Sequence, residues 1–221
     1  MISLFSKKNV DDTLELVGDF DGLYKADKDP WSQSAEGAEN LEMKKYYDFS
    51  RAQLLKLLKK INPNSNLLEV GCGLGFVMDF IAKNLAETSV SGLDISSEAI
   101  RRARENFPEY EFLKEDITKN RINLKKRFDV VILSQVLWYV LDDIETVMSN
   151  VHGLITDRGH FIITQAFPKK QLYGSDIIEG HEGLLGFMDQ YQQDKFYPIL
   201  NESHNSVDMV HIDGISLYQR L

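Results

Sequence analysis

Cysteine is almost missing from this chain. Its single copy, Cys72, rules out an internal disulfide, and no cysteine and histidine cluster has the spacing of a zinc site. Basic residues are scarce relative to acidic ones, 25 Lys and Arg against 34 Asp and Glu, for a formal net charge of −9. Such a chain has no basic surface with which to hold nucleic acid or an anionic membrane independently of sequence, and a small neutral or cationic substrate suits it better. Long apolar runs are absent as well. Met1 to Asn9 contains no apolar stretch of signal-peptide length, and no later segment approaches a membrane span. The expectation is a cytoplasmic chain without structural metal, of a size, 221 residues with 43% hydrophobic content, that suits one larger α/β domain. Internal repeats and low-complexity segments are lacking.

What is present centres on Asn66 to Asp79, which reads as a short buried strand, a glycine-rich turn and the start of an amphipathic helix. Gly71, Gly73 and Gly75 alternate with larger residues, so the backbone is free to take positive φ and lie against a ligand. Glu69 stands out, because a carboxylate at the end of an apolar strand is costly to bury without a partner. A cationic or hydroxyl-bearing ligand group nearby would supply one.

Residues 1 to 40 are polar and poorly periodic and read as an arm or lid, with Pro30 setting an extended turn and Trp31 an anchor. Residues 41 to 221 read as one domain. Tyr47, Leu54, Leu55, Leu58 and Ile61 share a helical face that Asn62-Pro63-Asn64 ends. After the glycine turn, the stripe Val77, Phe80, Ile81 and Leu85 predicts a helix, and Val90 to Leu93 a strand closing on Asp94. Ser96 or Ser97 then caps a helix burying Ile100, Ala103 and Phe107. Glu111 to Leu113 predicts a strand closing on Asp116, Phe128 to Leu133 a strand buried on both faces, Ile144 to Leu154 a helix, and His160 to Phe167 a fifth strand. The rhythm implies a mostly parallel sheet with helices on both faces and a ligand outside the carboxyl ends of its strands. Past Phe167 the pattern predicts a loop, a helix near Leu184 to Gln192, and two strands, Phe196 to Leu200 and Met209 to Tyr218. Their short connection makes them an antiparallel pair, with Pro198 suited to an edge.

A glycine-rich loop followed by an acid at the end of the next strand fits either a dinucleotide or a nucleoside site. Asp94 suits both, since its carboxylate can accept both hydrogen bonds of a ribose diol. The spacing separates them: pyrophosphate binding favours Gly-x-Gly-x-x-Gly, whereas here Gly-x-Gly-x-Gly follows Glu69, which would repel a pyrophosphate.

The set Glu69-Val-Gly71-Cys-Gly73-Leu-Gly75, Asp94, Glu115-Asp116-Ile117 and Phe128 to Leu137 resembles the successive motifs of class I S-adenosylmethionine-dependent methyltransferases. The resemblance covers residues 42 to 167. It implies a Rossmann-like seven-stranded sheet whose last strand is antiparallel, and S-adenosyl-L-methionine as cofactor. It also implies roles: Gly71, Gly73 and Gly75 around the methionine moiety and ribose, and Glu69 supporting the loop or the amino group. Asp94 would lie on the ribose hydroxyls, Ile95 against adenine, Asp116 and Ile117 at the adenine edge, and the Ser134 and Gln135 backbone near the methionine amine. Within the superfamily, Asp29-Pro30-Trp31, Lys44-Lys45-Tyr46 and Val136 to Val140 are similar to the group of nodulation-factor N-methyltransferases, which act on amino sugars, although the arm is spaced differently. No Asn/Asp-Pro-Pro-Tyr follows the fourth strand, which argues against methylation of DNA bases or of protein glutamine.

Many superfamily members carry a histidine where this chain has Tyr139. The candidates for a catalytic base are therefore Tyr139 itself and His181, in a Gly-rich segment whose flanking acids, Glu179 and Glu182, would raise its pKa. The expected activity is methyl transfer to an oxygen or nitrogen of a small molecule, with sugars and amino sugars as candidates. A nicotinamide-dependent oxidoreductase and a non-catalytic cofactor-binding module are the alternatives.

Overall fold

A computed structural model describes residues 4–8, 13–34, 41–61, 65–122, 124–205 and 211–221. In chain order its elements are β1 (Phe5–Lys8), β2 (Thr13–Leu16), α1 (Phe20–Ala26), α2 (Leu41–Ile61), β3 (Asn66–Val70), α3 (Phe76–Asn84), β4 (Ser89–Asp94) and α4 (Ser97–Asn106). Then follow β5 (Glu111–Lys114), β6 (Phe128–Ser134), α5 (Ile144–Leu154), β7 (Ile155–Pro168), α6 (Gly180–Tyr191), β8 (Phe196–Asn205) and β9 (His211–Arg220). Seven strands form one sheet in the order β5-β4-β3-β6-β7-β9-β8. The first five in this row are parallel, and β9 runs antiparallel to both β7 and β8. This is the Rossmann-like sheet with an antiparallel last strand that the sequence led us to expect.

Alternation along the central strands explains the layers. On β6, Val131 and Leu133 join Leu68 of β3 and the α5 residues Val147, Met148 and Val151 in one core, with Leu184 and Met188 of α6. Val130 and Ile132 point the other way, into a second core with Leu54 and Leu58 of α2, Met78 and Ile81 of α3, and Ile100 of α4. Both faces of β6 are thus dry, which is why its sequence is an unbroken apolar run and not an alternating one. The helix starts are equally legible. Ser96 caps α4 by accepting from the Ala99 amide at 3.1 Å, and Gly75 in left-handed conformation, φ +86°, starts α3.

The ends of the sheet differ in kind. β5 has four residues, whereas β8 has ten and is an outer strand whose register against β9 shifts between Pro198 and Leu200. Proline lacks the amide that a central position would need, so its place at this edge agrees with the expectation. The proposed strand starting at Met209 begins in residues outside the described set, as does the Asn62-Pro63-Asn64 helix stop.

Three local expectations need correction. The arm is not featureless: β1 and β2 form an antiparallel hairpin, and α1 follows it. The fifth strand starts at Ile155 and not at His160, because Asp157-Arg158-Gly159 stays in the strand, with Arg158 at φ +61°. Glu179 to Gly183, read as a loop, instead contains the start of α6 at Gly180.

Candidate functional site

The glycine turn is tied to β4 through its backbone. The amides of Gly71 and Cys72 both donate to the Leu93 carbonyl, at 2.7 and 3.0 Å. Asp94 finishes the tie: one carboxylate oxygen accepts from the Gly73 amide and the other from the Ser96 amide, each at 2.8 Å. Burial pushes the Asp94 pKa up, and the backbone amides of Ser96, Gly73 and Ile95 counter it. Carboxylate oxygens accept more than one hydrogen bond each, so the residue both holds the loop and retains capacity for a ligand diol.

The three glycines serve different needs. Gly71, at φ +73°, lines the ligand cavity, and a Cβ on it would fall 2.3 Å from a methyl of Val136. Gly73 and Gly75 do not line the cavity; their added Cβ atoms would meet the Tyr24 hydroxyl at 2.7 Å and the Phe112 ring at 2.8 Å. Their smallness answers protein packing, a requirement that loop spacing alone does not reveal. Glu69 likewise sits beneath the site. It is buried, lines no part of the cavity, and its Oε2 has no hydrogen-bond partner among the described residues. Burial drives its pKa well above the usual carboxylate range, against the opposing charge of Arg51 on α2. Cys72 beside it is a buried packing thiol whose pKa burial also raises.

A cavity of about 600 Å³ opens along the carboxyl ends of the parallel strands, well within the size range of small-molecule sites, roughly 300–1,000 Å³. Sheet order divides it. On the β4 and β5 side lie Asp94, Ile95, Glu115, Asp116, Ile117 and Thr118. Ile95 is 41% exposed there, an apolar face held open to the cavity. Burial raises the Asp116 pKa, but hydrogen bonds from Thr118 and the nearby Lys119 outweigh it, so the group lies below its ordinary value. On the β6, β7 and β9 side lie Ser134, Gln135, Trp138, Tyr139, Gln165 and His211, with Lys45 of α2. Gln165 and His211 carry no motif, and their membership was not legible from local sequence; Lys45 belongs to the Lys44-Lys45-Tyr46 run.

Gln135 is the unusual residue of this second half. Its φ is +60°, left-handed without being glycine. Its side-chain Oε1 accepts from the Ala166 amide at 2.9 Å and from Gln165 Nε2 at 3.4 Å. Gln165 is fixed in turn, with its Oε1 accepting from the Leu137 amide at 3.0 Å and its Nε2 donating to the Ala166 carbonyl at 3.2 Å. Backbone groups that only donate or only accept therefore set both side-chain amides.

The arm covers the cavity. Phe20, Tyr24 and Trp31 line it, and Tyr139 is surrounded by Phe20, Trp31 and Phe5 at ring-centroid distances of 5.4, 5.7 and 6.0 Å. Trp31 acts as an anchor: its indole donates to the Tyr24 hydroxyl at 3.1 Å and its carbonyl accepts from Tyr47 at 2.8 Å. The arm is pinned from below by Arg102 of α4, which donates to the carbonyls of Tyr24, Asp27 and Lys28. Asp21 completes the attachment at the start of α4, accepting from Ser96 and Ser97 hydroxyls at 2.6 and 2.8 Å and from the Glu98 amide at 3.0 Å.

The two candidate bases fare differently. Tyr139 is at the cavity, but burial pushes its pKa up to about 12, so at neutral pH it holds its proton and is poorly suited to act as a base. His181 does not line the cavity. It is buried under β9, with its ring against Gly214 and its Nε2 3.3 Å from Ser216 Oγ, and burial lowers its pKa, outweighing Glu182. The expectation of a histidine base with a raised pKa is overturned because Gly214 makes room for the ring inside the fold, away from the cavity.

A sheet of this order with a tethered glycine turn, an acid after the second strand and a covered cavity at the strand ends defines a Rossmann-like α/β protein of the nucleoside-cofactor type. Residues 68–161 match the methyltransferase domain family. That span and the fold around it are similar to those of class I S-adenosylmethionine-dependent methyltransferases. Nodulation protein S of Sinorhizobium fredii is 27% identical over 145 residues, 64% of this chain and 62% of that protein. Malonyl-[acyl-carrier protein] O-methyltransferase 1 of Ilyobacter polytropus is 30% identical over 111 residues, 49% of this chain and 40% of that protein. The chain thus spans less than two thirds of the length of either relative. Among solved structures, the N-methyltransferase NodS from Bradyrhizobium japonicum in complex with S-adenosyl-L-homocysteine has a TM-score of 0.69 at 17% identity, covering 90% of this chain and 96% of that one, a likeness of fold. Among the described residues no helix is long and apolar enough to cross a membrane.

Proposed function

We propose that the protein transfers the methyl group of S-adenosylmethionine to an oxygen or nitrogen of a small molecule, sugars and amino sugars among them. The observation that carries this reading is the two-sided cavity under the arm. One side offers a carboxylate, Asp94, beside an exposed apolar side chain, Ile95, with Asp116 and Ile117 next to them, acceptors and an apolar face that suit a ribose diol and a planar base. Gly71, Ser134 and the Gln135 backbone would border the methionine portion, with Glu69 buried beneath them. The relatives named above include one N- and one O-methyltransferase, so they leave the attacked atom open.

When bound, the cofactor supplies an electrophilic methyl on a sulfonium. What this chain contributes is position and dryness: Asp94 and the β4–β5 side orient one end, and Trp31, Phe20 and Tyr139 exclude water above the reacting atoms. With Tyr139 protonated, it serves as a donor and a wall and not as a base, which favours an acceptor that arrives already deprotonated. Calorimetric titration with S-adenosylhomocysteine, NAD and NADP tests the reading. Binding of the first alone is expected. A dinucleotide preference would return the oxidoreductase alternative, and binding without methylation of any small acceptor would favour the non-catalytic module.

A further inference from the structure

The Gln135 amide has a fixed direction and an unused end. Its Oε1 is held by the Ala166 amide and by Gln165, so its Nε2 is the end left over. No acceptor for Nε2 exists among the described residues, and the residue lines the cavity. Two N–H donors are therefore offered to whatever occupies the β6 and β7 side. Holding Gln135 there uses a left-handed backbone, φ +60°, which the surrounding bonds must offset.

The charge around it points the same way. The carboxylates lining the cavity, Asp94, Glu115 and Asp116, are all on the β4 and β5 side. Among the described residues lining the other side there is no carboxylate, and the basic residues there are Lys45 and His211. Asp213, two residues beyond His211 on β9, is buried outside the lining. A cationic amine placed here would meet the Lys45 ammonium and the Gln135 amide donors, with no lining carboxylate on this side to pair with it. A carboxylate would find two donors and a favourable charge.

We infer that the methyl acceptor is a carboxylate-bearing small molecule, its carboxylate held by the Gln135 side-chain amide in the field of Lys45. This rests on the methyltransferase reading and narrows its substrate class away from amino sugars. Gln135 is here a specificity residue, acting through its side chain.

The test uses full-length protein loaded with S-adenosylhomocysteine and matched probes, 3-phenylpropionate against 3-phenylpropylamine, followed by ligand-observed NMR. The carboxylate should bind at least tenfold more tightly than the amine. Gln135→Glu keeps the oxygen that Ala166 and Gln165 hold, so its fold should persist, but it replaces the donors with an anion, and carboxylate binding should fall at least tenfold. Lys45→Gln, on the exposed start of α2, should weaken the same probe severalfold with no change in melting temperature. Preference for the amine, failure of the carboxylate to bind, or carboxylate binding undiminished in either variant would overturn the inference. Failure of wild-type protein to bind S-adenosylhomocysteine would instead strike the methyltransferase reading beneath it.

Discussion

Replacing Asp21 by alanine should loosen the arm over the cavity without unfolding the sheet. The side chain lies in the first turn of α1 and caps the start of α4, so it is near the positive ends of two helix dipoles and accepts from Ser96, Ser97 and Glu98. Those bonds, with Ser96 the largest influence, lower its pKa from 3.8 to about 2. Nearly two units correspond to about 2.4 kcal/mol, and discounting for the partial solvent exposure of the group leaves about 1–2 kcal/mol for docking the arm. That is a factor of roughly 5–30 in the closing equilibrium, and calorimetry should find affinity for S-adenosylhomocysteine reduced by up to the same factor in Asp21→Ala. The sign follows from the depressed pKa. The contribution is complete above the ordinary carboxylate value and is lost as pH falls toward about 2, so the difference between variant and wild type should be constant from about pH 5 to 8. An unchanged affinity with the arm's aromatic residues intact would refute the claim that Asp21 holds the arm in its cofactor-covering position.

Two further outcomes test the site. Gly71→Ala places a Cβ 2.3 Å from Val136 at φ +73°; the strain and overpacking should cost about 2–4 kcal/mol, a fall of roughly 5–15 °C in melting temperature, with cofactor binding lost. His181→Asn should lower stability by about 1–2 kcal/mol through the lost packing and the Ser216 contact while leaving kcat within about threefold. Because burial lowers the His181 pKa from 6.5, wild-type stability is full above that value and declines as pH falls below it, and the variant should lack this component of the acid sensitivity in a melting series.

The sheet and the β4–β5 half of the cavity were legible because their causes are local. The unbroken apolar run of β6 needs two covered faces, Ser96 needs only the amide three residues on, and the acids at the ends of β4 and β5 sit where parallel strands expose their carboxyl ends. What escaped depends on partners distant in sequence. The Gln135 orientation comes from β7, whose register puts Thr164 beside Ser134. His181 is buried by a glycine on β9. The reasons for Gly73 and Gly75 are Tyr24 of the arm and Phe112 of β5. The arm's hairpin has four-residue strands, too short to show alternation, and its attachment runs through Arg102 and Asp21, ordinary surface residues by any local pattern.

The outer strand β8 bears on behaviour at high concentration. A ten-residue strand carrying Tyr197 at 59% and Ile199 at 48% exposure is a template on which another chain can add itself. Pro198 sits between those two side chains, removing one donor, and the register shift beside it bends the row of free backbone groups. At the opposite end, four residues of β5 give a newcomer little to hold. Continuation of the sheet from molecule to molecule is thus opposed at both margins, and Pro198 is the single residue whose loss would remove the guard on the longer one.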